Sequence, residues 1–215
     1  MIVDRRIERM KVVIWGAGGH AKVVSEIISH YSNYEIVGYI DNTIQRKAQE
    51  VLHDIPIYGD LDDVPVHKTA PSIVVAIGNT AVRRKIVETV QEKGFNFASV
   101  IHPRAHVAKD VTIGNGTVVM AAAVINSASV IGNHVIINTS SSIDHDCTIG
   151  DFAHIAPGAH LGGWVNIGEN SFVGLGSSIR DRVTIGSGVT VGTGSTVIKN
   201  IADDCTAFGV PAKLI

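Results

Sequence analysis

Stepping by six residues from Ile101 lands on a branched aliphatic seventeen times in succession. The series runs Ile101, Val107, Ile113, Val119, Ile125, Ile131, Ile137, Ile143 and Ile149, then Ile155, Leu161, Ile167, Val173, Ile179, Ile185, Val191 and Val197. From Ile113 onward, the position two before each is small or β-branched, as at Thr117, Ala123, Ser129, Cys147 and Ala153, and glycine often follows the aliphatic, as at Gly132, Gly150, Gly168 and Gly186. An amphipathic α-helix repeats its apolar stripe every three or four residues and a single strand alternates every two, so neither accounts for a period of six. A short strand, a turn and a short strand on the next face does. Three hexads close a triangular coil, with the aliphatic inside, the small residue beside it and the glycine expected at the tight corner. Coils stacked as parallel strands ~4.8 Å apart predict about five turns, a prism roughly 25 Å tall.

The chain before this array is different in kind. KVVIW, a helix over AKVVSEIISHY, EIVGYID, SIVVAIG and the helix AVRRKIVETVQEKG alternate strand and helix patterns, which argues a small parallel α/β sheet over residues 11–98. The first strand runs into Gly16-Ala17-Gly18-Gly19-His20-Ala21, a G-x-G-x-x-A turn whose bare backbone N–H groups can approach a phosphate, and Asp41 follows the second strand where an acid would meet a ribose or base edge. The domain is too short for both halves of a dinucleotide fold, so a ligand bearing one nucleotide fits better. The expected organisation is a poorly ordered extension over 1–10, the α/β domain over 11–98 and the β-helix with its tail over 99–215.

A formal charge of −2 gives no electrostatic reason to expect nucleic acid or an anionic membrane as partner. No apolar run is long enough to insert in a bilayer, the first ten residues lack a signal-peptide core, and two cysteines make no disulfide framework, so the expected compartment is the cytoplasm.

Within the array, Ser142-Ile143-Asp144-His145-Asp146-Cys147 concentrates the chemistry. His145 stands two residues after interior Ile143, which places it at a corner with its imidazole outward, and either Asp144 or Asp146 could hold one ring nitrogen so that the other takes a proton. Cys147 occupies the small interior position and reads as a core filler rather than a nucleophile. Gly163 lies one coil of eighteen residues after His145, so its backbone is expected beside that ring.

The hexad array, the terminal Gly209-Val210-Pro211-Ala212-Lys213, the GAGGHAKVV turn, the acid after the second strand and VAIGN with Arg83 behind it together resemble the nucleotide-sugar acetyltransferases of the bacillosamine and perosamine type and the related sialic acid O-acetyltransferases. That resemblance implies a left-handed parallel β-helix behind a Rossmann-like domain, a homotrimer, and acetyl-CoA as cosubstrate without a metal. It makes His145 the general base and chooses Asp146 as its partner. It sets His154 near the acetyl carbonyl, Gly163 beside the thioester, Gly174 and Gly176 along the pantetheine, and Lys199 and Lys213 at the CoA phosphates. Gly18, Gly19 and His20 would face the pyrophosphate, Asp41 the base, and Gly78 or Asn79 the adjoining strand end. The implied reaction is N-acetylation of a UDP-linked 4-amino-4,6-dideoxy sugar for surface glycan synthesis, with sialic acid O-acetylation as the nearest alternative. Two other classes on the same prism are a zinc-dependent hydratase, which needs three converging histidines, and a non-catalytic nucleotide-sugar binder.

Overall fold

The computed structural model describes residues 9–42, 51–65 and 70–215. Most of the expected N-terminal extension, residues 1–8, lies outside the described residues. The front domain runs β1 (Met10–Trp15), α1 (Gly19–Ser29), β2 (Tyr34–Ile40), β3 (Val51–Leu52), β4 (Ile55–Tyr58), a 3-10 turn (Leu61–Asp63), β5 (Ser72–Val75) and α2 (Thr80–Glu92). Its sheet has the order β3-β4-β2-β1-β5, with β1 between β2 and β5 and all of these parallel except the β3–β4 hairpin. Burial on both faces explains why β1 reads as a continuous apolar run rather than an alternating one. The hairpin was hidden in the sequence because its two turn residues, His53 and Asp54, take positive φ without the usual Asn-Gly signal.

From Val100 onward the chain forms two-residue strands every six residues, three to a coil, and the run from Val100–Ile101 to Thr196–Val197 fills nearly six coils. Strands eighteen residues apart pair in parallel, as Ile125 with Ile143 and Ile143 with Leu161, and the spacing shortens to sixteen at the last coil, where Thr190 pairs with Thr206. Three sheets result. The first face begins at Val100–Ile101 and ends in an antiparallel hairpin, Thr206–Gly209 with Ala212–Leu214; the second begins at His106–Val107 and the third at Thr112–Ile113. The branched aliphatics and their small companions form one buried column. Its hydroxyls are satisfied internally: Ser129 donates to the Asp144 carbonyl at 2.8 Å and accepts the Cys147 N–H at 3.2 Å, a pattern that Thr117 and Ser171 repeat.

The corners differ from the sequence expectation. The glycines that follow the aliphatics are not the left-handed residues; positive φ falls two positions later, at Ala122, Ala128, His134, Ser140, Asp146, Phe152, Trp164 and Arg182, among others. Coil stacking explains the glycines instead. A Cβ on Gly132 would lie 2.8 Å from the Asp151 backbone nitrogen, and one on Gly168 would lie 2.4 Å from that of Ser187.

The front domain sits on the first face. Val100, Val118, Met120 and Ile136 of that face share an apolar core with Val12, Ile14, Ala21, Val24 and Ile28. At one edge α2 docks on the corner between the third and first faces. There Arg83, 1% exposed, donates to the carbonyls of His134 (2.9 Å), Phe152 and Ala153 on the prism and to Ile77 (2.8 Å) and Gly78 (3.0 Å) in its own domain. Arg84 adds an ion pair to Glu169 at 2.9 Å. Burial lowers the Arg83 guanidinium to about 10, which leaves it a cation at neutral pH.

Candidate active site

The register places His145 at a corner and leaves Asp144 and Asp146 both open as its partner; in the structure the contact is with Asp146. His145 and Asp146 occupy the corner between the second and third faces, and His145 Nδ1 lies 2.7 Å from Asp146 Oδ2. The αL conformation of Asp146 (φ 58) turns its side chain back toward its neighbour. Asp144 is committed elsewhere: it accepts from the Asn126 amide at 3.0 Å and from the His145 N–H at 2.8 Å, and these two bonds, in that order, hold its carboxyl below the usual range. Asp146 is an acceptor-only carboxylate, so Nδ1 is the ring's donor in this pair. Gly163 lies against the ring as expected, since a Cβ there would stand 2.7 Å from His145 Cε1. Cys147 is fully buried, its thiol directed at the Gly162 carbonyl and its pKa raised first by desolvation.

His154 is not a surface residue. It is 8% exposed on the first face, with Nδ1 3.1 Å from the Gly78 carbonyl and Nε2 3.1 Å from the Asn138 amide nitrogen. A carbonyl only accepts, so Nδ1 carries the proton; Asn138 Oδ1 accepts the Thr139 N–H at 2.8 Å, which fixes its NH2 as donor to Nε2. Burial, and next the Arg83 charge, lowers His154 to about 4, so it is neutral. Both ring nitrogens are thus engaged, Nδ1 donating to Gly78 and Nε2 accepting from Asn138, and the Asn138 amide is the donor on that side. Asn138 was missed because nothing in its hexad distinguishes it from other polar corner residues.

The glycine turn opens onto a cavity of about 290 Å³ lined by Gly16, Gly18, Gly19, His20, Asp41 and Gly78 among others. α1 begins at Gly19, two residues before the helix read from sequence, so its first-turn N–H groups face this space. Asp41 accepts the Ala17 N–H at 3.1 Å. His20 is lowered to about 4 by burial and then by Arg83, and its Nε2 has no partner among the described residues. Asn79 stands apart: it caps α2, its side chain accepting the Val82 N–H at 2.9 Å, and it lines a neighbouring cavity of about 320 Å³ with Thr80, His154 and Phe172.

One chain does not assemble all these residues. The nucleotide-sized cavity and His154 belong to the first face, whereas His145, Asp146 and Gly163 belong to the corner opposite it. Gly174 and Gly176 lie at the corner between the first and second faces, with Gly176 the left-handed residue. Lys199 and Lys213 are exposed near the end of the prism, Lys213 within its hairpin.

Glu26, His30 and His102 form a cluster of metal-ligand composition. It is closed to a metal by its own hydrogen bonds: His102 Nδ1 accepts the Arg104 N–H at 2.9 Å, so Nε2 carries the proton and points at Glu26.

A β-helix of hexapeptide coils behind a glycine-turn α/β domain defines a hexapeptide-repeat transferase with a nucleotide-binding front. Family models agree: residues 11–90 match the PglD N-terminal domain and residues 128–163 the bacterial transferase hexapeptide (six repeats). The acetyltransferase domain of PglB from Neisseria gonorrhoeae FA1090 superposes with a TM-score of 0.89 at 40% identity, covering 96% of this chain and 100% of that one; it is also known in complex with acetyl coenzyme A. A histidine-to-asparagine variant of perosamine N-acetyltransferase from Caulobacter crescentus, in complex with CoA and GDP-perosamine, gives 0.88 at 36% identity over 95% of this chain and 96% of that one. UDP-N-acetylbacillosamine N-acetyltransferase of Bacillus subtilis (strain 168) is 36% identical over 113 residues, a stretch spanning 51% of either protein. This chain belongs to the nucleotide-sugar N-acetyltransferase family of left-handed β-helix, hexapeptide-repeat proteins with a PglD-type front domain.

Proposed function

We propose that this protein transfers the acetyl group of acetyl-CoA to the amine of a nucleotide-linked 4-amino-4,6-dideoxy sugar, with UDP the nucleotide, in the cytoplasm and for surface glycan synthesis. The observation that carries the reading is the His145–Asp146 pair at 2.7 Å, with a side-chain-free Gly163 backbone beside the ring. His145 takes the proton as the amine nitrogen attacks the thioester carbonyl, and Asp146 stabilises the imidazolium. The C–S bond then breaks, and the imidazolium returns the proton to the departing thiolate. With Cys147 buried, transfer is direct, without an acyl-enzyme. The cavity at Gly18, Gly19 and His20 holds the diphosphate and Asp41 the base. Gly174, Gly176, Lys199 and Lys213 follow the CoA arm.

Since the base corner and the nucleotide cavity face opposite ways on one prism, the complete site lies between copies, which a homotrimer provides. The amino sugars named for the perosamine and bacillosamine relatives favour an amine over a hydroxyl acceptor. Among the described residues no helix is long and apolar enough to cross a membrane. Thiol release from acetyl-CoA with UDP-, GDP- and dTDP-linked 4-amino sugars tests the reading. Turnover with a UDP-linked amine, inhibited by free UDP, supports it; thiol release with sialic acid alone refutes it.

A further inference from the structure

His145 is half-exposed, with 42% of its side chain accessible, as is that of Asp146. A single hydrogen bond between two exposed side chains does not fix an imidazole, because such pairs contribute little and exposed rotamers interchange freely. The corner column supplies a second restraint. Asp146, Trp164 and Arg182 succeed one another at intervals of one coil, all with positive φ (58°, 57° and 60°). The Trp164 backbone N–H donates to the His145 carbonyl at 3.0 Å, and the indole stands perpendicular to the imidazole with ring centroids 4.5 Å apart. Arg182 lies with its guanidinium carbon 4.1 Å from the indole centroid, and its backbone N–H donates to the Gly163 carbonyl at 2.9 Å. Core packing does not account for Trp164. The interior is filled by the aliphatic column, Trp164 is 43% exposed, and a large side chain at positive φ is unfavourable.

We propose that Trp164, held by Arg182, is a positioning residue for His145. The indole closes one side of the imidazole, so the ring has a single orientation, with Nδ1 on Asp146 and Nε2 turned outward to the acceptor amine. The inference rests on His145 being the base. Gly163 completes the cradle, since its missing side chain leaves the space the ring occupies.

The test compares the full-length native protein with Trp164→Ala, Trp164→Phe and Arg182→Met by two readouts. The first is NMR of the His145 ring, in its protons and nitrogens, which requires no substrate. Trp164→Ala is expected to shift the ring protons, through loss of the indole ring current, and to convert one tautomer into a mixture. The second is steady-state kinetics: kcat falls about tenfold while the KM for acetyl-CoA stays within about twofold. Trp164→Phe restores most of the loss, and Arg182→Met falls between. A retained single tautomer with unchanged kcat in Trp164→Ala overturns the proposal, as does a loss confined to the KM of the sugar. Should Trp164→Ala fail to fold, Arg182→Met decides, since its partial fall in kcat and partial tautomer mixture are expected only if the indole orients the ring. Absence of turnover in the native protein would defeat the acetyltransferase reading, and the NMR comparison would still decide whether Trp164 orients the ring.

Discussion

Replacing Arg83 with methionine removes the three hydrogen bonds by which this side chain ties the front domain to the prism. Three of the carbonyls it serves, those of Ile77, His134 and Phe152, have no other hydrogen-bond donor among the described residues. Each buried acceptor left without a donor costs about 1–2 kcal/mol, and part of the sum is recovered because a cation no longer has to be desolvated. The net expectation is a loss of about 3 kcal/mol, borne by the contact between domains rather than by either core. The two tryptophans report on the two parts separately: Trp15 lies in β1 and Trp164 on the prism corner. In urea, Trp15 fluorescence, isolated in a Trp164→Phe background, should show its midpoint falling by about 1–2 M, ahead of the circular-dichroism transition of the prism. Lysine at 83 should recover only part of the loss, since it has three donors where arginine has five. A midpoint within about 0.3 M of the Arg83 protein, with both signals still coincident, would refute the account of this clamp.

Three further outcomes follow from the same geometry. His20, His134 and His154 are each lowered to about 4, below their ordinary 6.5, so the unfolded chain binds more protons than the folded one across that interval. Stability is fully present above about pH 6.5 and is lost as pH falls toward 4, at up to about 1.4 kcal/mol per pH unit for each histidine; a urea midpoint unchanged between pH 7 and 5 would contradict this. Gly163→Ala puts a methyl 2.7 Å from His145 Cε1, so kcat should fall by about 100-fold with thermal stability nearly unchanged, and normal turnover would show the ring has room to move. Gly18→Asp puts a carboxylate in the nucleotide cavity where a Cβ meets nothing within 4 Å, so the variant should fold but not bind the diphosphate. Co-refolded with His145→Ala, it should regain roughly a quarter of native activity, from the sites that pair an intact base with an intact cavity on different copies; no recovery would put both in one chain.

The repeat was legible because every coil states the same constraint. Once Ile143 is interior, His145 must be at a corner and Gly163 must lie one rung away. The identity of the left-handed residue was not legible, because glycine serves two purposes here: at Gly132 and Gly168 it admits the next coil, and the turn itself is made by residues such as Asp146 and Trp164. What periodicity could not reveal depends on contacts between distant parts of the chain. Arg83 reaches residues 51 to 70 positions away, and the tautomer of His154 is decided by Gly78, 76 positions before it. The same is true of Asn138 as a donor, which became visible only when its amide was found between Thr139 and His154.

The proposed function assigns acetyl transfer to the corner pair, His145 and Asp146, and not to Cys147 or His154. Thiol release from acetyl-CoA in the presence of a UDP-linked 4-amino sugar, measured on native protein and on His145→Ala with CoA binding followed in parallel, tests it most directly. The account predicts a fall in kcat of at least about 100-fold with CoA affinity retained. Turnover by His145→Ala within a few-fold of the native rate would contradict it.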